Sequence, residues 1–551
     1  MAGLVAAFGS GAMTNSVPEL EDADCILITG SNTTEGHPLV STRIMRAKEK
    51  GARIIVIDPR DIQLARFADL HLRQRPGTDV AWINGMINVI IQEGLLDEEF
   101  IAERTEGFEE LREAVAEYTP ERVEAITGIP AQDLVAAARM YGGAERAAIV
   151  YAMGITQHTT GTDNVLSLAN LAMVTGNVGK PSTGVNPLRG QNNVQGACDL
   201  GGLPNVFPGY QRVTDPAVQE KFEKAWGVSL PKEVGLSVVE MMNAAYAGRI
   251  KGMFIMGENP MLSDPDVGHV KESLEQLDFL VVQDIFLTET AELADVVLPG
   301  VSFAEKDGTF TGTDRRVQRV RQAIPPIGQS RADWEIVCDL ARHMGGQGFD
   351  YRSPAEVMDE IATLTPIYGG VSYDRLEKEG SLQWPCRSAD DPGTPYLHKG
   401  KFARGRGRFH VVSFKEAKEL PDEEYPLILT TGRIMFHWHT GSMTRRSPKL
   451  EQEVPEPYIE ISPADAERLG LRKSERVRML SRRGEIIAKA WITRRVKPGV
   501  VFMPFHFVEA AANVLTDAEA LDPTAKIPEY KVCAVRVEKV CLLYTSPSPR
   551  D

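Results

Sequence analysis

Short continuous apolar runs alternate with longer amphipathic stretches over the first three hundred residues of the chain. The apolar runs that start at Ile26 (ILIT) and Ile54 (IIVI) are bounded by turn residues, which is typical of buried strands. The stretch that begins with PGTD carries apolar side chains at helical spacing, at Ile83, Met86, Ile87 and Ile90. Strands that alternate with helices predict a parallel, doubly wound α/β sheet.

The same layout occurs a second time further along the chain. In each copy a strand ends in a Gly-x-Asn turn, the next strand ends in an aspartate, and an Ala-Asp pair follows. The glycine and the first aspartate lie 28 positions apart in one copy and 27 in the other, and the two aspartates lie 11 positions apart in both. The residues are Gly30, Asn32, Asp58 and Asp69 in the first copy, and Gly257, Asn259, Asp284 and Asp295 in the second.

Two such copies indicate two nucleotide-bearing ligands bound with pseudo-symmetry. In open α/β sheets, ligands bind at the carboxyl ends of the strands, where glycine lets the backbone approach a phosphate and a carboxylate suits a ribose hydroxyl. The alternative is two α/β units that are related only by fold. The chain contains neither GxGxxG nor GxxxxGK[ST], which argues against an NAD-binding or P-loop protein.

Between the two copies lies the polar, glycine-rich segment PLRGQNNVQGACDLGG, residues 187–202, which has neither a helical nor a strand period. Its glycines permit close approach, and Gln191, Asn192, Asn193 and Gln195 offer uncharged donors and acceptors. Arg189 offers a planar fork for a small carboxylate or a phosphate. The segment is therefore either a ligand-binding loop or a loop held together by structural amides.

The pattern changes to short strands from about Lys401 onwards. The strands are predicted in YPLILTTGR, YIEIS, RVRMLSR, GEIIAKAWI and VVFMPF. One helix is predicted between them, with Ser462 as its N-cap, Pro463 at its first position and Gly470 beyond its end. We therefore expect a mostly β barrel in this part of the chain.

Bulk properties narrow the class of protein. The chain has 551 residues and a formal net charge of −15, which argues against a nucleic-acid or anionic-membrane surface. No apolar run is long enough to span a membrane, and the start resembles no signal peptide, so a cytoplasmic location is expected, with the periplasm as the alternative. The six cysteines form no CxxC pair, and we interpret them as buried free thiols.

Several motifs, in order along the chain, resemble the catalytic subunit of molybdenum- or tungsten-dependent formate dehydrogenases. These enzymes belong to the dimethyl-sulfoxide-reductase family, which binds two molybdopterin guanine dinucleotides. The similar segments are FGSGAMTNS at Phe8, RTEGFEEL at Arg104, MGITQH at Met153, VNPLRGQNNVQGACDLGGLP at Val185, VQDIF at Val282 and TTGRIMFHWHTGSMTRR at Thr430. The resemblance extends to about Val540 and implies one pterin dinucleotide on each α/β unit, closed by a barrel like a double-psi barrel.

The resemblance implies a role for each matching residue. Arg189 is expected to hold formate beside the metal. The residues expected to contact the pterin or the first guanosine arm are Gly30, Asn32, Asp58, Gly77, Asp79, Met153, Gly154, Gln157, Gly190 and Gln191. Those expected at the second arm are Gly257, Glu258, Asn259, Gln283, Asp284, Thr288 and Asp307. The barrel is expected to contribute Arg433, His437, His439, Thr440, Ser442, Asn513, Tyr530 and Lys531.

The chain departs from the family pattern at its start. Formate dehydrogenases of this family have a selenocysteine or cysteine metal ligand next to a histidine, and a [4Fe–4S] domain before it, and the chain contains neither. We therefore expect an amino-terminally truncated subunit that does not oxidise formate alone. The full protein would oxidise formate to carbon dioxide, or the reverse, with iron–sulfur electron-transfer subunits as partners. The alternatives are another bis-pterin oxidoreductase, such as a nitrate reductase, and a non-catalytic cofactor-binding paralogue.

The predicted organisation has five parts. Two α/β pterin-dinucleotide-binding domains are expected at residues 1–191 and 192–330, and a helical or irregular connection at 331–400. The barrel is expected at 401–540. Residues 541–551 form a Ser/Pro-containing tail for which a non-native origin is an interpretation.

Overall fold

The structure, a computed structural model, describes residues 1–540, so the predicted tail 541–551 lies outside the described residues. In this part of the chain, no helix combines the length and the apolar composition needed to cross a membrane. The predicted fold class is confirmed: parallel sheets with helices are followed by a closed six-stranded barrel.

The first unit is built around a parallel sheet in the order β3-β2-β1-β5-β6. The chain runs from β1 outwards to β3 and then returns to the other side of β1, which makes β1/β5 the switch point of the sheet. The strands are β1 Cys25–Thr29, β2 Arg53–Ile57, β3 Leu70–Leu72, β4 Thr105–Glu106, β5 Ala147–Tyr151 and β6 Gly184–Pro187. The helices are α1 Ala2–Phe8, α2 Thr33–Gly36, α3 Pro38–Glu49, α4 Asp79–Gln92, α5 Glu98–Arg104, α6 Phe108–Val115, α7 Pro120–Thr127, α8 Ala131–Gly142, α9 Met153–Thr156, α10 Gly161–Val174 and α11 Val194–Asp199.

The polar segment between the two copies is more regular than its sequence indicates. Residues 188–193 form an irregular loop, but α11 occupies most of the remainder of the segment. Gln195 and Asp199 are buried on this helix, whereas Gln191 and Asn192 are exposed. A single short turn of helix shows no measurable period, which is why the sequence pattern missed it.

The second unit has a smaller parallel sheet, in the order β11-β10-β9. The strands of this part are β7 Val206–Phe207, β8 Gln211–Arg212, β9 Gly252–Met256, β10 Phe279–Asp284 and β11 Val296–Pro299. The helices are α12 Pro216–Trp226, α13 Val238–Tyr246, α14 Pro260–Ser263 and α15 Val267–Glu275.

The two copies share their backbone geometry. Gly30 and Gly257 both have positive φ, 55° and 63°, at the turn that follows β1 or β9. The aspartates of the Ala-Asp pairs are structural, because each accepts a hydrogen bond from the second residue of the middle strand. Asp69 accepts from the Ile54 amide at 2.8 Å, and Asp295 accepts from the Leu280 amide at 2.7 Å.

An antiparallel sheet and three helices connect the second unit to the barrel. The strands are β12 Gly308–Thr311, β13 Arg316–Val320 and β14 Ser381–Gln383. The helices are α16 Asp333–His343, α17 Pro354–Leu364 and α18 Tyr373–Glu379. Short 3-10 helices lie throughout the chain, at Val17–Asp22, Gln63–Phe67, Ala291–Leu293, Phe303–Glu305, Pro366–Tyr368, Thr444–Arg446, Val508–Ala510 and Ala512–Val514.

The barrel closes in the order β16-β20-β17-β19-β18-β21. The elements of this last part are β15 Gly407–Arg408, β16 Leu427–Gly432, α19 Pro448–Glu453, β17 Tyr458–Ile461, α20 Pro463–Arg468, β18 Arg476–Leu480, β19 Glu485–Ile492, β20 Val500–Pro504 and β21 Cys533–Lys539. Ser462 Oγ accepts a hydrogen bond from the Asp465 amide at 3.1 Å, as expected of an N-cap.

The first barrel strand begins at Leu427, further along the chain than the expected domain start at residue 401. The preceding residues Phe402, Phe409 and Val412 are buried in the core of the first unit. In addition, β15 pairs with β4 of the first unit in parallel. Residues 402–412 therefore complete the first unit.

A buried ion pair joins the first unit to the barrel. The Arg60 guanidinium donates to both carboxylate oxygens of Glu460, at 3.1 and 2.8 Å, and stacks over the Phe502 ring at 3.4 Å. The Glu460 side chain is fully buried and the Arg60 side chain is 7% exposed. Arg495 adds a second contact to Glu460 at 3.1 Å.

We expect Glu460→Gln to destabilise the protein strongly, because it leaves the Arg60 guanidinium buried without its carboxylate. Breaking a buried pair in this way costs about 3–5 kcal/mol. Urea denaturation should show a lower midpoint for this variant. The control is Glu485→Gln, which removes the exposed partner of Arg478 and should cost no more than about 1 kcal/mol. Equal midpoints for the two variants would contradict the role given to Arg60–Glu460.

Candidate functional site

A cleft of about 210 Å³ opens at the β1/β5 switch point of the first sheet. The barrel forms its opposite wall. At its base the turns after β1 and β5 touch, and the Gly154 amide donates to the Gly30 carbonyl at 2.9 Å. A methyl group on Gly30 would lie 2.6 Å from the Gly154 backbone, and one on Gly154 would lie 2.5 Å from Gly30. Both positions therefore require glycine for close packing.

Thirteen of the predicted site residues line this cleft. They are Gly30, Asn32, Asp58, Gly77, Asp79, Met153, Gly154, Gln157, Gly190, Gln191, Arg433, His439 and Lys531. Residues that the sequence reasoning missed line it as well, among them Ser31, His37, Arg60, Gln74, His158, Thr431 and Phe502. Ser31 and His158 are adjacent in the chain to predicted residues, which was the available signal for them, whereas the others are brought to the cleft by the fold.

Asn32 has no partner in the part of the chain that the structure describes. Both polar atoms of its side chain are buried and make no hydrogen bond within residues 1–540. A buried amide without partners is costly, by about 1–3 kcal/mol per group. Because Asn32 lines the cleft, a ligand with a donor and an acceptor would satisfy it, as a guanine or ribose edge does.

Two cations of the barrel face the same cleft. Within the described residues, no carboxylate oxygen lies within 4.0 Å of the Arg433 guanidinium or the Lys531 ammonium. Burial lowers the pKa of Arg433 to about 10, and burial together with the charge of Arg433 lowers the pKa of Lys531 to about 7. Arg433 packs against Gly190 and over the Trp438 ring. These unneutralised charges fit the phosphates of a dinucleotide cofactor.

In the lining of the cleft, His158 lies between a carboxylate of the first unit and one of the barrel. Its Nδ1 is 3.3 Å from Glu529, and its Nε2 is 2.9 Å from the Gly154 carbonyl and 3.8 Å from Asp79. Burial alone would lower the pKa of His158, but the hydrogen bond with Glu529 and the two negative charges raise it. Since both ring nitrogens face acceptors, we assign His158 as protonated.

One carboxylate oxygen of Asp79, a predicted ligand contact, already accepts two hydrogen bonds from protein side chains. Its Oδ1 accepts from Trp82 Nε1 at 3.1 Å and from Gln74 Nε2 at 3.3 Å. Burial raises its pKa. Asp58 accepts a hydrogen bond from the Arg60 amide at 2.9 Å, and burial raises its pKa to about 6.

The residues predicted for the second arm gather at the ends of β9 and β10, outside the cleft just described. Asn259 accepts from Thr290 Oγ1 at 2.7 Å and donates to Glu289 at 2.7 Å, so its amide is fully engaged. Gln283 donates to Asp333 at 2.8 Å and keeps its buried oxygen without a partner within residues 1–540. The remaining residues here are Gly257, Glu258, Asp284 and Thr288.

Two barrel residues contact the second unit beside this group. Asn513 donates to the carbonyls of Leu262 and Ser263, at 3.0 and 2.9 Å, and Tyr530 donates to Ser263 at 3.1 Å. The structure therefore brings Asn513 and Tyr530 to α14, directly after Glu258 and Asn259. Here their observed contacts are with protein backbone.

Two further predicted residues, Asp307 and His437, make contacts within the protein. Asp307 contacts Arg319 at 3.4 Å on the β12–β13 hairpin, and its neighbour Lys306 reaches Asp333 beside Gln283 instead. His437 is fully buried, with Nε2 at 2.8 Å from the Val454 carbonyl, so it supports the turn from inside. Nearby, Thr440 and Ser442 hydrogen-bond each other at 3.0 Å.

Arg189 lies beside Gly190 and is held through one edge of its guanidinium. Its Nε donates to Gln195 at 3.1 Å, and one terminal nitrogen donates to the Gly11 carbonyl at 3.4 Å. Its backbone is fixed by Thr313 at the amide and by His37 at the carbonyl. Among the described residues, no carboxylate oxygen lies within 4.0 Å of its guanidinium.

Comparison with known proteins identifies the fold. The family description "Molybdopterin oxidoreductase" matches residues 4–343, and "Molydopterin dinucleotide binding domain" matches residues 427–534. The chain belongs to the molybdopterin oxidoreductase family. The second match begins at the first barrel strand, as the structure does, and the barrel is thus a dinucleotide-binding domain.

The close relatives are formate dehydrogenase catalytic subunits. The alpha subunit of F420-dependent formate dehydrogenase 1 of Methanococcus maripaludis is 55% identical over 98% of this chain and 80% of the relative. Formate dehydrogenase H of Escherichia coli is 44% identical over 98% of this chain and 76% of the relative. Acetylene hydratase from Pelobacter acetylenicus has the same fold, with a TM-score of 0.77 at 20% identity, over 98% of this chain and 80% of that protein.

Alanine substitution of the two Gly-x-Asn asparagines should affect different properties, stability for Asn259 and cofactor content for Asn32. We expect Asn259→Ala to lower the unfolding free energy by about 1–3 kcal/mol, because it leaves Thr290 and Glu289 without their partner. Asn32→Ala should cost no stability in the cofactor-free protein, because its amide has no partner to lose, but should lower the bound pterin content. Urea denaturation and pterin fluorescence after cofactor release measure the two effects. Loss of stability in both variants would contradict a ligand-directed Asn32.

Lys531→Met should stabilise the cofactor-free protein. The unfolded lysine has a pKa of about 10.4, whereas the folded value is about 7, so folding favours loss of the proton. The resulting penalty is full below pH 7 and declines as the pH rises towards 10. The gain in melting temperature should therefore shrink over that window. The exposed Lys399→Met is the control, and a gain that does not depend on pH would contradict the assignment.

Proposed function

We propose that this chain binds two pterin guanine dinucleotides and forms the catalytic region of a formate dehydrogenase, with Arg189 as the residue that holds formate. The observation that carries this proposal is the position of Arg189. It is a guanidinium without a carboxylate within 4.0 Å in the described residues, directly before two residues that line the cleft. The identity of the close relatives supports the same reaction.

The chain's own residues fit the cofactor. The unpartnered Asn32 and the cations Arg433 and Lys531 would hold the first dinucleotide, and the group around Gly257 and Gln283 would hold the second. When bound, the cofactor supplies the metal centre that accepts the two electrons of formate. A molybdenum or tungsten centre, a [4Fe–4S] cluster, iron–sulfur partner subunits and a cytoplasmic location remain predictions.

Arg189 would act by orientation and charge. Formate is a small anion, and a planar guanidinium can bind both of its oxygens, which turns the C–H bond away from the arginine. The free edge of Arg189 is available for this contact, since its Nε edge is held by Gln195. The tight contacts around the Arg189 backbone keep this geometry fixed while substrate enters and product leaves.

Arg189→Lys should raise the formate KM and lower kcat, and Arg189→Ala should do more damage. Lysine keeps the charge but loses the planar fork. Loss of a charged partner in a water-poor site costs on the order of 2–5 kcal/mol, which means roughly thirty-fold or more in kcat/KM. The kinetics are measured in a chimera that adds the part of the Methanococcus relative that this chain does not match, since the match covers 80% of the relative.

Cofactor content distinguishes substrate binding from cofactor binding in the same variants. It should stay near the wild-type value in both, because Arg189 is assigned to substrate. If Arg189→Ala loses pterin while the loaded fraction keeps normal formate kinetics, the arginine anchors the cofactor instead. Turnover with nitrate rather than formate would overturn the substrate assignment and leave the cofactor assignment intact.

A further inference from the structure

Arg189 is linked to a carboxylate, that of Asp199, through one intervening side chain and without direct contact. The carboxylate of Asp199 is fully buried, and the amide of Gln195 lies between it and the arginine. Gln195 Oε1 accepts from Arg189 Nε at 3.1 Å, and Gln195 Nε2 donates to Asp199 Oδ1 at 2.7 Å. Gln195 and Asp199 are four residues apart on α11, so one turn of helix fixes their alignment.

The directions of the hydrogen bonds show that Asp199 accepts from every partner. Arginine has donors only, so the oxygen of Gln195 must face Arg189 and its nitrogen must face Asp199. The hydroxyls of Tyr210 and Tyr368 also reach the carboxylate, at 2.6 and 2.7 Å. Tyr368 in turn contacts Thr311 at 2.8 Å. Three donors around two oxygens are the surroundings of an ionised carboxylate.

Arg315, a fully buried cation of the same region, has different hydrogen-bond partners. The Arg315 guanidinium donates to backbone carbonyls, including those of Met13, Thr394 and Pro395, at 2.8, 2.8 and 3.0 Å. Burial lowers the pKa of Arg315 to about 10, and the charges of Asp314, Glu19 and Asp199 oppose that shift. Arg315 nevertheless makes no hydrogen bond to Asp199. The hydrogen-bonded chain from Asp199 therefore leads to Arg189.

We propose that Gln195 and Asp199 are specificity-determining positioning residues of the anion site: Asp199 neutralises Arg189 through the amide spacer Gln195, which leaves the arginine's outer edge free for the substrate anion. This inference rests on the proposed function of Arg189. The polar chain of Arg189, Gln195, Asp199, Tyr210 and Tyr368 is named here for these residues as the Arg189 relay.

The chemistry of the reaction gives the Arg189 relay a purpose. Formate is an anion, but carbon dioxide is neutral, so the charge that meets Arg189 disappears in each oxidative turnover. A partly buried arginine with no counter-charge would then be costly. A carboxylate in direct contact would remove that cost but would occupy the fork and compete with formate. A carboxylate one amide away satisfies both requirements.

Two isosteric variants test the spacer and the charge separately. Gln195→Glu places a carboxylate on Arg189 and should weaken formate binding at least about ten-fold by direct competition. Asp199→Asn removes the compensating charge and should tighten formate binding by about three- to ten-fold; both figures are order-of-magnitude expectations for one added or lost charge at short range. Asp339→Asn, which removes a carboxylate on α16 that pairs with Arg331 and Arg342 outside the Arg189 relay, is the matched control and should stay within about two-fold of wild type.

Binding is measured on the purified protein by line broadening of ¹³C-formate in NMR titrations, with acetate as a competitor and thermal melting to verify folding. This readout needs no turnover. A role in packing alone predicts weaker binding in Asp199→Asn, so that result overturns the proposal, as does unchanged binding in Gln195→Glu. If Gln195→Glu does not fold, Asp199→Asn decides alone. If wild type and Arg189→Ala bind formate equally, the proposed function fails as well, and the two failures are thereby distinguished.

Discussion

Buried ion pairs hold the barrel against the first unit, and the candidate site depends on them because the barrel forms one wall of the cleft. Arg60 and Glu460 form one such link, and His158 and Glu529 form another. Each joins a residue next to the base of the cleft to the barrel that forms its other wall. Because a buried charge without its partner is far more costly than an exposed one, these links define a single docked arrangement of the two domains.

The two copies of the sequence repeat share their backbone geometry, but the side chains at equivalent positions do not share their hydrogen-bond partners. Gly30 and Gly257 turn the chain in the same way, and Asp69 and Asp295 bind the same position of the middle strand. Asn32 and Asn259, however, differ completely in their partners: one has none among the described residues, and the other has three hydrogen bonds. The asparagine of this turn thus faces a ligand in the first unit, as we infer, whereas in the second unit its side chain bonds to the protein.

Local patterns predicted most elements, because strand and helix periods are properties of neighbouring residues. The α/β alternation, the barrel strands and the Ser462 cap were all visible in this way. What the sequence could not show depends on distant partners. The competitors for Asn259 lie 30 residues further along the chain, and the carboxylate beside His158 lies 371 residues away. The burial of Phe402 and Phe409 in the core of the first unit was not visible in the sequence for the same reason.

The contribution of residues 402–412 to the first core has a consequence for synthesis of the protein. The last strand of the first sheet ends at Pro187, but its core lacks Phe402, Phe409 and Val412 until those residues leave the ribosome. At roughly 5–20 residues per second, translation of the intervening chain takes on the order of ten to forty seconds. During that time the sheet is complete but its apolar surface is open. The nascent chain is therefore a natural client for a chaperone over this interval, however stable the finished fold.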